Sequence, residues 1–518
     1  MRLSIPRDGV KVRVVADTSP VSTNESNAAA TSKAWTQMIR QTALFLPGQL
    51  VPVATNIIAV PIFTYYFPSS EYGAYALALN FATFLNMFCG SWLESLIIRF
   101  YHTYSDNERD AIFFPVINLL YLTSIAIGFF IVALSYIFGP ESVFGGFRGM
   151  LLVSGLVFWG QTFLQGGLAL LRVRERAGSF SVITALAAVL KLVVGLVLAV
   201  GLSRGVIGIL WAAAIVPGLL YILFLRKQFT LVFPSFGKEQ RRFLLDCSAY
   251  GLPLAFSVFL NFLHGNADRY ILQSIRGGHE VGVYSIAVNI IEQPIGLLFS
   301  SLLLAAMPAI TKAYEKSTPE QTKQLLSLII RMALMLSLPV SMIAIAASHT
   351  IFKTLAKGDF TEGWTAGAWL VVASLFLGLR QFSVVGLHLS RRTGMLAFFT
   401  IIAVVVNIAF NFLVVPFAGY QGCAMVKICS QGVLLILGFG FSIRCVPFDI
   451  PFFSIFRILA ASAIASGCVY ELTQYCPANI LCLGLLLGAG LLVYAVLIIA
   501  FRELRITDIQ KSWPLRKT

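Results

Sequence analysis

The residues of this chain that could do chemistry are charges set inside long apolar runs: Glu94, Arg99, Lys191, His264, Asp268, Arg269, Glu292 and Arg331. An ionisable side chain near the middle of a bilayer costs at least ~2.5 kcal/mol, so each needs a buried partner or a task. Lys191, in AAVLKLVVG, lies about twelve residues from either end of its run. It either pairs with a carboxylate such as Glu94 or Glu292, or binds an anion in a central cavity. Glu292 is about eleven residues into its run, with Asn289 three positions before it on the same helical face. It either takes up a proton and couples transport to a gradient, or pins a neighbouring helix. His264 and Asp268, four apart, share a face with Asn261, and Arg269 follows directly. These serve a substrate or a gate, unless Asp268 and Arg269 pair locally and close the outer end. Glu94 and Arg99 stand near the end of a run in SWLESLIIRFY. Arg99 either snorkels to the interface or meets a phosphate, and Arg331 invites the same two readings. Arg380, Lys427 and Arg457 lie nearer run ends and read as interfacial anchors.

Other chemistry finds little footing. The chain carries no G-x-x-x-x-G-K-[ST], H-E-x-x-H or G-x-S-x-G motif, its five histidines are scattered, and no connection exceeds about twenty residues. The eight cysteines lack metal spacing, and six of them fall in the last hundred or so residues, mostly in apolar sequence. They read as packing residues, with Cys476 open to a disulfide. Neither an enzyme nor a bound cofactor is expected; a proton or sodium gradient is the energy source such carboxyls could use.

The elements that position these charges follow from composition. Hydrophobic residues make up 58% of the 518 and charged residues 12%, with mean hydropathy +0.83. A soluble chain this long would need far more polar surface, so an all-α polytopic membrane protein is expected. Apolar runs of bilayer-crossing length fall at about 41–66, 74–98, 113–138, 149–171, 179–201, 205–226, 249–274, 281–308, 323–347, 364–387, 394–417, 423–442, 450–472 and 478–501. They make a first lobe over 41–226, a basic linker over 227–248, a second lobe over 249–445 and a final helix pair over 446–501. Residues 1–40 read as a disordered tail and 502–518 as a basic one. With the first residues inside, both tails and the even-numbered connections hold roughly 28 of the 38 Lys and Arg, against roughly 6 on the opposite side. That bias puts both termini in the cytoplasm. The net charge of +15 then implies no nucleic acid.

The sequence also repeats. Glu71-Tyr72-Gly73-Ala74-Tyr75 matches Glu280-Val281-Gly282-Val283-Tyr284 at an offset of 209, and Asn80 matches Asn289 at the same offset. Leu46-Pro47 matches Leu252-Pro253 one run earlier. Six runs separate the copies, an even number, so the lobes form a parallel repeat. Pro47, Pro52, Pro61, Pro253 and Pro294 fall inside the opening runs of the two copies. Prolines are tolerated there where protein or water satisfies the freed backbone, which points to a cavity between the lobes. Asp268 and Arg269 have uncharged counterparts, Ile62 and Phe63, so the shared frame does not require them.

Several of these stretches resemble one known group. Fourteen spans, the Glu-Tyr-Gly-Ala-Tyr turn and Ile98-Arg99-Phe100-Tyr101 are similar to the polysaccharide-exporter branch of the multidrug/oligosaccharidyl-lipid/polysaccharide (MOP) superfamily. So are Tyr250-Gly251-Leu252-Pro253, Asp268-Arg269-Tyr270-Ile271-Leu272 and Pro308…Lys312…Tyr314. The resemblance covers most of 41–445. It implies a Wzx-like flippase that moves a lipid-linked oligosaccharide, commonly on undecaprenyl diphosphate, across the bacterial cytoplasmic membrane by alternating access. Membrane lipids and polysaccharide polymerase or export machinery are its implied partners. The implied cationic cavity makes Arg99, Arg269, Lys191 and Arg331 the headgroup candidates. Glu292, Asp268, Glu94, His264 and Asn289 are left for coupling or gating. A lipid II flippase and an ion-coupled drug exporter of the same superfamily are the alternatives. A polysaccharide polymerase or ligase fits less well, since it needs a large external loop.

Overall fold

The computed structural model describes residues 44, 47–226, 235, 237–390, 392–449, 452–501 and 503. The expected tails (1–40 and nearly all of 502–518) and residues 227–234 of the linker lie outside them. Thirteen helices among the described residues are long and apolar enough to cross a membrane. In chain order they are α1 (Pro47–Tyr66), α2 (Ser69–Thr103), α3 (Asp106–Phe138), α4 (Glu141–Val173), α5 (Ala177–Gly201) and α6 (Val206–Leu225). Then come α7 (Lys238–Arg276), α8 (Gly278–Glu315), α9 (Pro319–Ala346) and α10 (Gly358–Leu389). The next stretch, Gly394–Cys445, is 52 residues long and breaks at Gly419, where φ is 52° and the helix cannot continue. It therefore makes two crossings, α11 (394–418) and α12 (420–445). Last are α13 (Phe452–Thr473) and α14 (Ile480–Ala500). All fourteen apolar runs thus become crossings.

One boundary differs. The basic stretch expected to be a linker as far as residue 248 is helical from Lys238, as the first turns of α7. Its apolar face explains this. Phe243 and Cys247 are buried in a cluster with Trp92, Tyr101 and Phe113 of the first lobe, so a basic sequence still has one face to pack.

Within the first lobe α4 packs on α2, α3 and α6; within the second α10 packs on α8 and on the α11–α12 pair, which α7 also flanks. The final pair stands beside the second lobe, α13 against α9 and α14 against α13. Fourteen crossings leave both chain ends at one face, called here the terminal face; the other is the distal face. Near the distal face a disulfide joins Cys476 and Cys482, whose Cα atoms are 6.0 Å apart.

The lobes meet at the repeated motif. The distal end of α2 packs along that of α8. A methyl at Gly73 would overlap the carbonyl oxygen of Gly278, and one at Gly282 would overlap that of Ser69. The two glycines of the repeated motif face each other across a pseudo-two-fold axis, and only hydrogen fits at either. Close backbone approach of this kind is the main way helices hold together in lipid. The glutamates diverge: Glu280 accepts a hydrogen bond from the Tyr420 backbone N–H (2.9 Å) and caps the start of α12, whereas Glu71 is exposed.

Gly73→Ala and Gly282→Ala are each expected to lower the melting temperature and folded yield of the detergent-solubilised protein. Gly488→Ala, where an added Cβ meets nothing within 4 Å, should do neither. Equal melting of all three variants would deny the crossing its structural role.

Candidate functional site

Just inside the glycine crossing, α1, α2, α7 and α8 leave a cleft of about 320 Å³ between the lobes. Its wall is built from amides. Asn56 of α1 donates to Gln293 (2.8 Å), Gln293 donates to Asn289 (3.2 Å), and Asn289 donates to the Tyr72 hydroxyl (3.1 Å). On the other side Asn80 donates to Asn266 of α7 at 2.9 Å. The repeat mates Asn80 and Asn289 thus each reach across the seam to the opposite lobe. Below them the seam is aromatic, with Phe84 and Phe88 of α2 against Phe259 and Phe262 of α7.

Arg269 is the one cation lining this cleft among the described residues. Its guanidinium donates only to Asn266, at 3.5 Å, and its Nε is buried without a partner. A carboxylate lies next to it in sequence, but neighbours on a helix point about 100° apart. Asp268 accordingly turns into the second lobe, with 1% of its surface exposed. The local ion pair that could have closed the outer end is not made: Asp268 Oδ1 accepts only the Arg269 backbone N–H, at 2.9 Å.

Asp268 belongs instead to a buried ion cluster. Its Oδ2 accepts from the Tyr284 hydroxyl at 2.6 Å and lies 3.8 Å from Lys427 Nζ, which is 2.7 Å from Glu292 Oε1. Lys427 was expected to anchor at the interface because it sits near the end of its run. In the structure it is 3% exposed and faces inward from the second turn of α12. Glu292 therefore pins α8 to α12, and its cation is Lys427 rather than Lys191. Two carboxylates around one ammonium leave the cluster one negative charge in excess unless a proton is present. His264, one turn before Asp268, is buried beside it with Nε2 unpartnered, facing the charges of Lys427 and Arg380.

The remaining candidates disperse. Arg331 contacts Glu503 at 2.8 Å, and Arg457 meets the same carboxylate at 3.1 Å. A neutralised Arg331 is not free for a headgroup; with Arg457 it ties the end of α14 to α9 and α13. Arg99 is exposed at the terminal face, 4.2 Å above the Tyr250 ring of α7, so it stacks across the seam there. Glu94 lies further in on α2, where the charge acting on it is Arg172. Lys191 lies about half a turn around α5 from the exposed Val189 and Val193, on the inward face, with no ion-pair partner among the described residues. Arg380, also taken for an anchor, lines a cavity inside the second lobe. No group of His, Cys, Asp and Glu suited to a metal ion occurs among the described residues.

Removing one member of a buried ion pair strands the others, at a cost of ~3–5 kcal/mol. Lys427→Met is expected to lower the melting temperature sharply. The triple change Lys427→Met, Asp268→Asn, Glu292→Gln should recover most of the loss. A triple variant no more stable than the single one would mean the carboxylates were not what Lys427 was compensating.

Comparison with known proteins places this geometry. The sequence profile of a family described as polysaccharide biosynthesis protein matches residues 39–314, and that of the lipid II flippase MurJ matches residues 269–488. No curated protein matches. Among solved structures, the lipid II flippase MurJ in an inward closed conformation superposes with a TM-score of 0.74 at 18% identity, over 90% of this chain and 99% of that one. An inward-facing multidrug resistance MATE family transporter of the MOP superfamily gives 0.54 at 17% identity, over 79% of this chain and 93% of its own. At such identities the likeness is one of fold.

Proposed function

Because the chain belongs to the polysaccharide biosynthesis protein family, we propose that it is a flippase carrying a lipid-linked oligosaccharide across the bacterial cytoplasmic membrane. The observation that carries this reading is Arg269: a guanidinium without a carboxylate, facing an amide-lined cleft between two lobes. Arginine's fork of donors matches a phosphate or diphosphate oxygen for oxygen. The amides of Asn56, Asn80, Asn289 and Gln293 suit sugar hydroxyls, which can both donate and accept. The terminal face is cytoplasmic by its charge bias, so the headgroup arrives from the side where Arg99 stacks on Tyr250. Reorientation then consists of separating the distal crossing at Gly73 and Gly282 while the terminal contacts, Arg99 on Tyr250 among them, hold that end closed.

The Asp268–Lys427–Glu292 cluster supplies the coupling. Lys427 compensates one of its two carboxylates, and the other is the group that a coupling cation would meet. On the far side a polysaccharide polymerase and export machinery would take up the product. A second reading is favoured by the MurJ profile over residues 269–488: lipid II, also a diphosphate-linked saccharide, would use the same arginine.

Reconstitution in vesicles separates the readings. A polyprenyl-diphosphate oligosaccharide bearing a fluorescent tag should cross the bilayer only with the protein present, and faster than tagged lipid II. Arg269→Gln should slow it at least tenfold while the protein still folds. Transport of lipid II alone would transfer the assignment to the second reading, and full activity in Arg269→Gln would remove the headgroup role from that residue.

A further inference from the structure

Arg380 is a deep cation that this reading leaves unused. It lies in the terminal half of α10 and lines an open-sided cavity of about 570 Å³ between α7, α8, α10, α11 and α12. Of the other deep cations of the second lobe, Lys427 is compensated by Asp268 and Glu292 and Arg331 by Glu503, while Arg269 faces the interlobe cleft. Arg380 has no ion pair among the described residues, no Asp or Glu lines its cavity, and no neighbouring carboxylate acts on it. The walls are of two kinds. Gln381, His388 and Asn261 stand with Arg380 as polar groups, while Leu303, Met307 and Leu434 present hydrocarbon. A partly buried arginine facing an acid-free cavity in an apolar lobe lacks a counter-ion, and an apolar wall beside it suits an anion that carries a hydrocarbon chain.

We propose that this cavity is a second anion site, which binds the phosphate of a membrane lipid through Arg380 and lays its chain against the apolar wall. Resting on the flippase reading, the inference adds a loading station. Ser257 and Asn261 of α7 line this cavity, and Asn266 and Arg269 of the same helix line the interlobe cleft. The two sites are therefore roughly 8–18 Å apart along α7 at 1.5 Å per residue. A diphosphate headgroup is held first by Arg380, in the half of the lobe nearer the terminal face, and passes along α7 to Arg269.

The test is binding to the full-length protein in detergent, read by native mass spectrometry with three probes: a polyprenyl diphosphate, phosphatidylglycerol and inorganic pyrophosphate. The wild type should retain the prenyl diphosphate most strongly, Arg380→Gln should retain it at least about tenfold more weakly, and Arg269→Gln should still retain it. Arg380→Gln strands no carboxylate, so without lipid its melting temperature should equal or exceed that of the wild type. Equal, Arg380-dependent retention of phosphatidylglycerol would keep the lipid-phosphate site and assign it to bulk lipid. Tight retention of pyrophosphate alone would overturn the lipid assignment. Undiminished retention in Arg380→Gln, or loss in Arg269→Gln only, would overturn the second site. Binding is read without transport, so a protein that binds through Arg380 yet moves no lipid would refute the flippase and leave this site standing.

Discussion

Helices in a bilayer gain little by burying apolar faces against one another, because the lipid is as apolar as they are. The two halves of this chain are joined instead by backbone approaching backbone, at Gly73 against Gly278 and Gly282 against Ser69. The rest of the interlobe structure depends on that approach. It brings Asn289 within reach of Tyr72 and Asn80 within reach of Asn266, and it sets the width of the cleft in which Arg269 stands. A contact made of hydrogens and carbonyls is also one that can part.

Charge inside the lobes sorts by the same economy of space. Where a cation's task is to hold helices together, it is surrounded: Lys427 by two carboxylates and Arg331 by Glu503. Where it is left facing a cavity, as Arg269 and Arg380 are, the missing counter-ion is the most informative thing about it. Depth alone did not separate these cases. Lys427 and Arg331 sit at comparable distances from helix ends to the two free arginines, and only their neighbours tell them apart.

That is also the limit of what was legible from sequence. The fourteen crossings and the parallel repeat were readable because bilayer length and a 209-residue offset are local or periodic signals, whereas the close approach of the paired glycines was not. The first turns of α7 were hidden because Lys238, Arg241 and Arg242 mask an apolar face that only Phe243 and Cys247 betray. Asp268 and Arg269 stood out in the sequence as adjacent charges, yet their divergence into different surroundings is set by helical rotation against partners far away in the chain. Lys427 and Glu292 are 135 residues apart, and nothing in one sequence marks them as a pair. Arg380 was read as an interfacial anchor; the cavity it lines is formed by helices scattered along the chain, which its own run does not reveal.

The central claim is that lipid crosses between lobes that must separate at the distal face. Ser69 Oγ and His279 Nδ1 lie 2.5 Å apart across that seam, one on each lobe. Cysteines placed at these two positions should cross-link on oxidation. Transport of a polyprenyl-diphosphate oligosaccharide in vesicles should then stop in the cross-linked protein and return on reduction, while each single cysteine variant stays active under both conditions. Transport at the full rate with the cross-link closed would contradict the account.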